Sequence, residues 1–176
     1  VVGFLREDRA LYEQGTLTSS YATETREIGF DAGYSLDTRG EFRIGFRQAK
    51  IKNNKLLGAE SLSAKVDDSR YFARAGFDTL DSLAFPTQGI RVLGEYSIYD
   101  ATLGATRQYD GVTLDILYPL YHNTGTTVLG QGYLGYLFET AVADVTPRYS
   151  LGGFTRLSGY SPNEISGRHA GLLSLM

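Results

Sequence analysis

The chain has 176 residues, enough for one domain of ordinary size, and its formal net charge of −3 gives a sequence pI of about 5.4. This mild acidity gives no electrostatic reason to expect a nucleic-acid partner, and the absence of cysteine excludes a disulfide scaffold and a thiolate metal site. No apolar run approaches the roughly 18 residues that a membrane helix needs. The first residues, VVGFLREDRA, also lack the basic flank and cleavage site of a signal peptide.

Hydrophobicity alternates with a period of two along most of the chain, which predicts long β-strands. In 26–36, for example, Ile28, Phe30 and Tyr34 alternate with acidic and small residues. We predict a partial strand at 1–7, full strands at 26–36, 41–49, 63–80, 89–100, 108–122 and 127–140, and a partial strand at 169–176. The polar stretch 50–61 is interpreted as a connection.

The length of these strands and the pattern of their connections favour a transmembrane barrel over a soluble β-sandwich. Strands in globular proteins average five or six residues, whereas a tilted transmembrane strand needs about 9–11. Short turns at 38–40, 81–89 and 123–126 alternate with longer connections, as in outer-membrane barrels. The predicted fold is therefore an all-β, antiparallel transmembrane β-barrel.

The two faces of the predicted strands differ in the way that a barrel wall requires. One face is apolar, and its aromatic residues near the strand ends match the girdles at a lipid interface. These residues are Tyr34, Phe42, Tyr71, Phe77, Tyr96, Tyr118 and Phe138. The opposite face carries ions of both signs, which suit a wet lumen: Glu27, Asp31, Arg43, Arg47, Arg70, Arg74, Arg91, Glu95 and Asp115.

About eight crossings can be counted, so either eight strands close on themselves or the chain supplies about half of a larger barrel. Open edges in lipid leave backbone groups without hydrogen bonds, at several kcal/mol each. The partial strands at both ends favour the larger barrel. A soluble β-rich ligand-binding module with one solvated face remains the alternative from another class.

Motifs for catalysis and for metal or cofactor binding are weak. The stretch GQGYLG at 130–135 fits the dinucleotide fingerprint, but it lies in a strand pattern with no helix after it. His122 and His169 lack a partner acid, and no G-x-S-x-G elbow is present. The acidic pairs 67–68 and 78/81 fit solvated turns better than a cation site. We predict no catalytic residue, no metal site and no cofactor.

Two stretches resemble the BamA/TamA-like outer-membrane superfamily. The segment LGGFTRLSGY at 151–160 is similar to the signature of that family's long sixth extracellular loop, which folds back into the lumen. The segment DTLDSLAFPTQGIRVLGEYS at 78–97 resembles a periplasmic turn of the same family. The resemblance covers nearly the whole chain and implies a sixteen-stranded barrel, of which residues 1–7 would lie on the fifth strand. It implies one domain over 1–176 with a lumen-directed loop at 141–168.

The loop departs from the usual pattern, because Ser158 stands where the family has an arginine. The sequence RLSGY followed by NEISG is similar to one branch, the patatin-like phospholipase (PlpD-type) autotransporters of type V secretion. This implies a bacterial outer-membrane segment that exports or displays a covalently linked lipase domain absent from the chain. An assembly factor or a two-partner secretion pore of the same superfamily is the alternative. The implied partners are outer-membrane lipid, the passenger domain, the barrel assembly machinery and a second copy in a homodimer.

The resemblance also implies which loop residues act. We expect the glycines of the loop to allow tight turns near the wall. Arg156 would reach a lumen carboxylate in place of the missing arginine, and Tyr160 would pack and donate a hydrogen bond at the tip. The predicted loop motif comprises Leu151, Gly152, Gly153, Phe154, Arg156, Leu157, Ser158, Gly159 and Tyr160. Its candidate partners on the lumen face are Asp31, Arg43, Arg47, Arg74, Arg91, Glu95 and Asp115.

Overall fold

A computed structural model describes residues 2–13, 16–57, 65–105, 108–138, 149–152, 157, 159–160 and 164–176. The described part of the chain is built almost entirely of β-strands, with one short 3-10 turn at Ala101–Leu103. The strands are β1 (Val2–Glu13), β2 (Thr16–Leu36), β3 (Gly40–Leu57), β4 (Lys65–Asp78), β5 (Arg91–Tyr99), β6 (Tyr109–Asn123), β7 (Thr126–Phe138), β8 (Tyr149–Leu151), β9 (Ile165–Gly167) and β10 (His169–Leu175). No helix in these ranges is long and apolar enough to cross a bilayer.

Eight of the strands form one antiparallel sheet in the order β1-β2-β3-β4-β5-β6-β7-β10. Neighbours in the sheet follow one another along the chain, except that a second, two-stranded sheet of β8 and β9 intervenes before β10. The predicted all-β antiparallel fold is thus confirmed. Within the described residues β1 and β10 do not pair, so the sheet is open, and its completion to sixteen strands stays a prediction.

The strands run further than the sequence predicts on the side opposite the short turns. The stretch 50–57, interpreted as part of a connection, is the end of β3, and β2 already begins at Thr16. β1 likewise continues to Glu13, so only residues 14–15 separate the first two strands. The interpretation was wrong because it followed apolar alternation, which ends near Ile28. On the side of Ile28 farther from the short turns, backbone hydrogen bonds hold β2 and β3 together. This pairing continues to Ser20 opposite Leu57 and needs no apolar face.

Three connections lie at the same end of the strands and correspond to the predicted turns. In the structure they span 37–39, 79–90 and 124–125. The longest of them is fixed by the Asp81 carboxylate. Asp81 accepts hydrogen bonds from the Thr87 backbone N–H at 2.8 Å and the Gln88 N–H at 3.2 Å, and also from the Thr87 hydroxyl. These bonds stabilise the charged form and lower the pKa of Asp81 to about 2. Asp81 is therefore a turn residue, as the sequence indicates, whereas the turn assignment was wrong for Asp67, Asp68 and Asp78, which lie on β4 and pair with neighbouring strands.

The Asp81 turn is expected to loosen only in strong acid. The folded-state pKa of Asp81 lies below the ordinary carboxyl value of about 3.9. The stability that the ionised carboxylate adds to the fold is therefore complete above that value and is lost as the pH falls through about 2. Carboxyl NMR of the folded protein should give an Asp81 titration midpoint near pH 2. The variant Asp81→Asn should remove this titration and raise amide exchange at Thr87 and Gln88 at neutral pH. A midpoint near 4 would contradict the hydrogen-bonded turn.

The two faces of the sheet differ in polarity, and the small β8–β9 sheet packs against only one of them. All seven aromatic residues predicted for the lipid face are exposed, and the strand registers place them on one side of the sheet. β8 lies against the other side, where Tyr149 contacts Gly111 and Gly135. We call the aromatic side the outer face and the side that carries the β8–β9 sheet the inner face.

Candidate functional site on the inner face

Four arginines face one another across β3 and β4 on the inner face. Arg43 lies opposite Arg74 in the register, and Arg47 lies opposite Arg70. Like charges placed directly opposite destabilise a sheet unless other groups compensate them. We call these four residues the arginine ladder.

Acidic residues on the flanking strands and on β3 itself compensate the ladder. Arg43 donates from Nη1 to Asp31 Oδ1 at 2.6 Å and from Nε to Glu41 Oε2 at 3.0 Å. Arg47 Nη1 lies 3.5 Å from Glu27 Oε1. The ladder therefore forms a wall of paired charges that suits contact with water.

The pair between Arg74 and Glu95 is one of the two in which both partners are largely buried, the other being Arg47 with Glu27. Arg74 donates from Nε to Glu95 Oε2 at 2.9 Å, and the two side chains are only 30% and 17% exposed. Glu95 Oε1 also accepts from the Ser97 hydroxyl at 3.1 Å. The Phe72 ring lies beneath the ladder, 4.7 Å from the Arg47 guanidinium carbon and 5.8 Å from that of Arg74. Cation–π contact thus holds the arginines against the sheet.

A tyrosine cluster continues the inner face beyond the ladder. Tyr99 and Tyr109 stack with their ring centroids 4.1 Å apart, and Arg70 donates from Nη1 to the Tyr99 hydroxyl. Leu137 completes this buried group, and Tyr149 of β8 packs on it. They line an open cavity of about 120 Å³, which Glu95 and Thr113 border as well.

Tyr149 fits into the sheet only because two glycines leave room for it. A Cβ atom at Gly135 would lie 2.5 Å from Tyr149 Cγ, and one at Gly111 would lie 2.6 Å from the Tyr149 hydroxyl oxygen. The hydroxyl donates to the Tyr136 carbonyl at 3.4 Å. β8 pairs with β9, from Tyr149 opposite Gly167 to Leu151 opposite Ile165. Two segments of the predicted loop 141–168, at 149–151 and 165–167, are thereby joined in a ribbon, and the first of them rests on the inner face through Tyr149.

The structure places part of the predicted loop motif. Leu151 lies on β8, and Gly152 follows it with φ +123°, a backbone conformation that favours glycine. The Leu157 carbonyl accepts from the Tyr160 N–H at 3.0 Å, and both Gly159 and Tyr160 are exposed at this turn. Gly153, Phe154, Arg156 and Ser158 lie outside the described residues. A contact between Arg156 and a lumen carboxylate therefore stays a prediction.

The predicted lumen charges lie together on the inner face, although not all in one cluster. Asp31, Arg43, Arg47, Arg74 and Glu95 belong to the paired network of the ladder. Arg91 and Asp115 lie on the same face, nearer the short turns. Their contribution to function stays a prediction.

Sequence reasoning did not single out Tyr149, Tyr99 or Tyr109. The available signal was glycine spacing, because Gly111 and Gly135 interrupt the inner faces of neighbouring strands and leave room for a ring. The dinucleotide-like stretch 130–135 is indeed strand, and its last glycine makes this room. His122 contacts Thr127 through Nδ1 at 2.9 Å, and His169 stacks on Tyr136 at 4.2 Å. Across the ranges that the structure describes, no three His, Asp or Glu side chains group closely enough to hold a metal ion.

The sequence matches the Omp85 superfamily domain over residues 4–171. The chain belongs to the Omp85 superfamily. Members of this superfamily are outer-membrane β-barrels of Gram-negative bacteria or organelles, and the membership indicates a translocator or assembly-type function. No curated protein matches the chain.

Membership in the Omp85 superfamily agrees with the chemistry of both faces. The exposed aromatic outer face suits lipid, and the paired charges of the inner face suit a water-filled interior. The predicted BamA/TamA-like superfamily is thus confirmed. The soluble ligand-binding module is not favoured, because it would leave a large aromatic face in water.

Proposed function

We propose that the chain is the membrane-embedded part of a bacterial outer-membrane translocator, which exports or displays a covalently attached patatin-like phospholipase domain. The observation that carries the proposal is the contact of the β8–β9 ribbon with the inner face through Tyr149. A loop that starts from such a base is directed into the barrel rather than into the medium. It would control how much of the lumen a passing chain can use.

The charge pairing of the inner face supports passage rather than tight binding. An arginine that already bonds a carboxylate of the wall has less to gain from a passing acidic side chain. A wall of this kind is wet, and Arg43, Arg47 and Arg74 each pair with a carboxylate of the sheet. A polypeptide would therefore move along it without being held by single strong contacts.

The passenger is proposed from sequence similarity, namely RLSGY and NEISG in the loop. The second candidate is an assembly factor or two-partner secretion pore, because superfamily membership supports such a function equally. Ser158 in place of the usual arginine favours the autotransporter. We also propose that the barrel assembly machinery inserts the protein and that a homodimer is its assembled form.

A matched pair of lysine substitutions tests whether the barrel supports export. Ile116 and Leu117 are neighbours on β6 that point to the outer and inner faces. A lysine on the lipid face costs about 2–4 kcal/mol near the membrane centre, whereas a lumen lysine is solvated. In the full-length protein, we expect Ile116→Lys to abolish protease cleavage of the passenger on intact cells and Leu117→Lys to preserve it.

The outcomes separate the two candidate functions. Equal passenger exposure in both variants would contradict a membrane wall in this orientation. A full-length protein that inserts normally but carries no phospholipase domain would reject the autotransporter and leave the assembly factor or pore.

A further inference from the structure

An amphipathic groove lies on the outer face of β1, β2 and β3. It has a volume of about 500 Å³. Val2, Phe4 and Ile28 line its apolar part, and Arg26, Lys50 and Gln48 line its polar part. Gly3 and Glu27 border the groove as well, and Glu27 is the lining residue that also belongs to the charge network of the inner face. The apolar side chains that line the groove are exposed.

The groove lies where the apolar band of the outer face ends. On β2 the outward residues from Ile28 to Leu36 are apolar, and Arg26 is the next outward residue. Nine residues of a strand tilted near 45° rise about 20 Å, close to the roughly 25 Å height of the lipid band of such barrels. Arg26 therefore lies at the level of lipid headgroups, in the leaflet farther from the short turns.

The cations here are concentrated and adjacent. Arg26 and Lys50 lie directly opposite one another in the register of β2 and β3, and both are exposed. Arg6 and Lys52 are exposed on the same face one step further along, where Glu24 also lies, whereas Asp67 of β4 lies directly opposite Lys50. Two cations placed opposite each other repel, and an anion bound between them removes that repulsion.

We propose that this groove binds one anionic lipid whose headgroup carries phosphate, in the leaflet farther from the short turns. The phosphate bonds Arg26 and Lys50, as guanidinium and ammonium groups bind phosphate elsewhere. An acyl chain lies along Val2, Phe4 and Ile28. The inference rests on the membrane barrel proposed above, since only a membrane brings a lipid to this face.

Native mass spectrometry of the full-length protein in neutral detergent tests the site, with bisphosphorylated lipid A as the probe. We expect one lipid A to bind and its affinity to fall about fivefold in each of the variants Arg26→Gln and Lys50→Gln. Dephosphorylated lipid A with the same acyl chains should bind the unaltered protein as weakly as lipid A binds the double variant. Arg39→Gln is the matched control, because Arg39 is an exposed arginine in the turn at the opposite end of the same hairpin.

The following results would contradict the proposed lipid site. Equal lipid A affinity in all variants, or equal affinity for the dephosphorylated lipid, means that no phosphate is recognised there. Loss of a dimer in the double variant with unchanged lipid A binding would assign the groove to a second copy of the chain. Flotation with phosphatidylcholine vesicles separates the two proposals: a protein that inserts but shows no phosphate preference lacks only the lipid site, whereas one that does not insert lacks the barrel as well.

Discussion

Replacing Gly135 with alanine is expected to release the base of the long loop from the inner face. The added Cβ would lie 2.5 Å from Tyr149 Cγ, with two further ring carbons within 2.9 Å. Gly135 is paired on both sides, with Thr113 of β6 and Ala170 of β10, so its backbone has little freedom to move away. The tyrosine ring must therefore leave. Overpacking of this kind costs about 1–3 kcal/mol.

The measurement is limited proteolysis of the loop in the folded, membrane-inserted protein. We expect cleavage within 139–168 to accelerate in Gly135→Ala and to stay unchanged in Gly132→Ala. Gly132 lies on the same strand but faces outward, where a Cβ would meet only ordinary contacts at 3.5 Å or more. The double variant Gly135→Ala/Tyr149→Ala removes the clash, so it should unfold no more easily than Tyr149→Ala alone. Slow cleavage in Gly135→Ala would contradict the docked tyrosine.

Glu95→Gln is expected to be the most damaging single charge change on the inner face. Glu95 accepts from Arg74 and from Ser97 and is only 17% exposed. Neutralising it leaves Arg74 without its anion, opposite Arg43 in the ladder. Loss of a charged hydrogen bond at a partly buried site costs about 1–3 kcal/mol. The free energy of unfolding, measured by urea titration in lipid vesicles, should fall by that amount.

Glu41→Gln is the matched control for this change. Glu41 also bonds a ladder arginine, but it and Arg43 are 40% and 44% exposed. Asp31 still pairs with Arg43 after the substitution. Water screens exposed pairs, so we expect a loss of no more than about 0.5 kcal/mol. Equal losses in Glu41→Gln and Glu95→Gln would show that the burial of the Arg74–Glu95 pair has no energetic consequence.

The fold was predictable because each strand in the membrane band must separate an apolar face from a polar one. That requirement gave the correct face for residues as far apart as Tyr34 and Phe138. It fails beyond the band, where residues 50–57 form a strand without any apolar face. There the backbone pairing of β2 and β3 decides the structure, and side-chain periodicity carries no information about it.

The candidate site was only partly predictable. Alternation assigns Arg74 and Glu95 to one face, but the strand register decides that they meet, and register cannot be read from a single strand. The docking of Tyr149 depends on two glycines, at 111 and 135, that are far from it in sequence. Glycine has many uses in a strand, so its pairing with a particular ring becomes visible only in three dimensions.

A disulfide between positions 135 and 149 tests most directly the claim that the loop base lies against the inner wall. The observed contact puts the two Cβ atoms at most about 4 Å apart, since Cβ and Cγ are separated by one bond of about 1.5 Å, and this suits a disulfide. In an otherwise cysteine-free full-length protein in intact outer membranes, we predict that Gly135→Cys/Tyr149→Cys crosslinks readily under mild oxidation. Gly132→Cys/Tyr149→Cys, with one cysteine on the outer face, should not crosslink. Crosslinking of both pairs, or of neither, would contradict an inward-docked loop base.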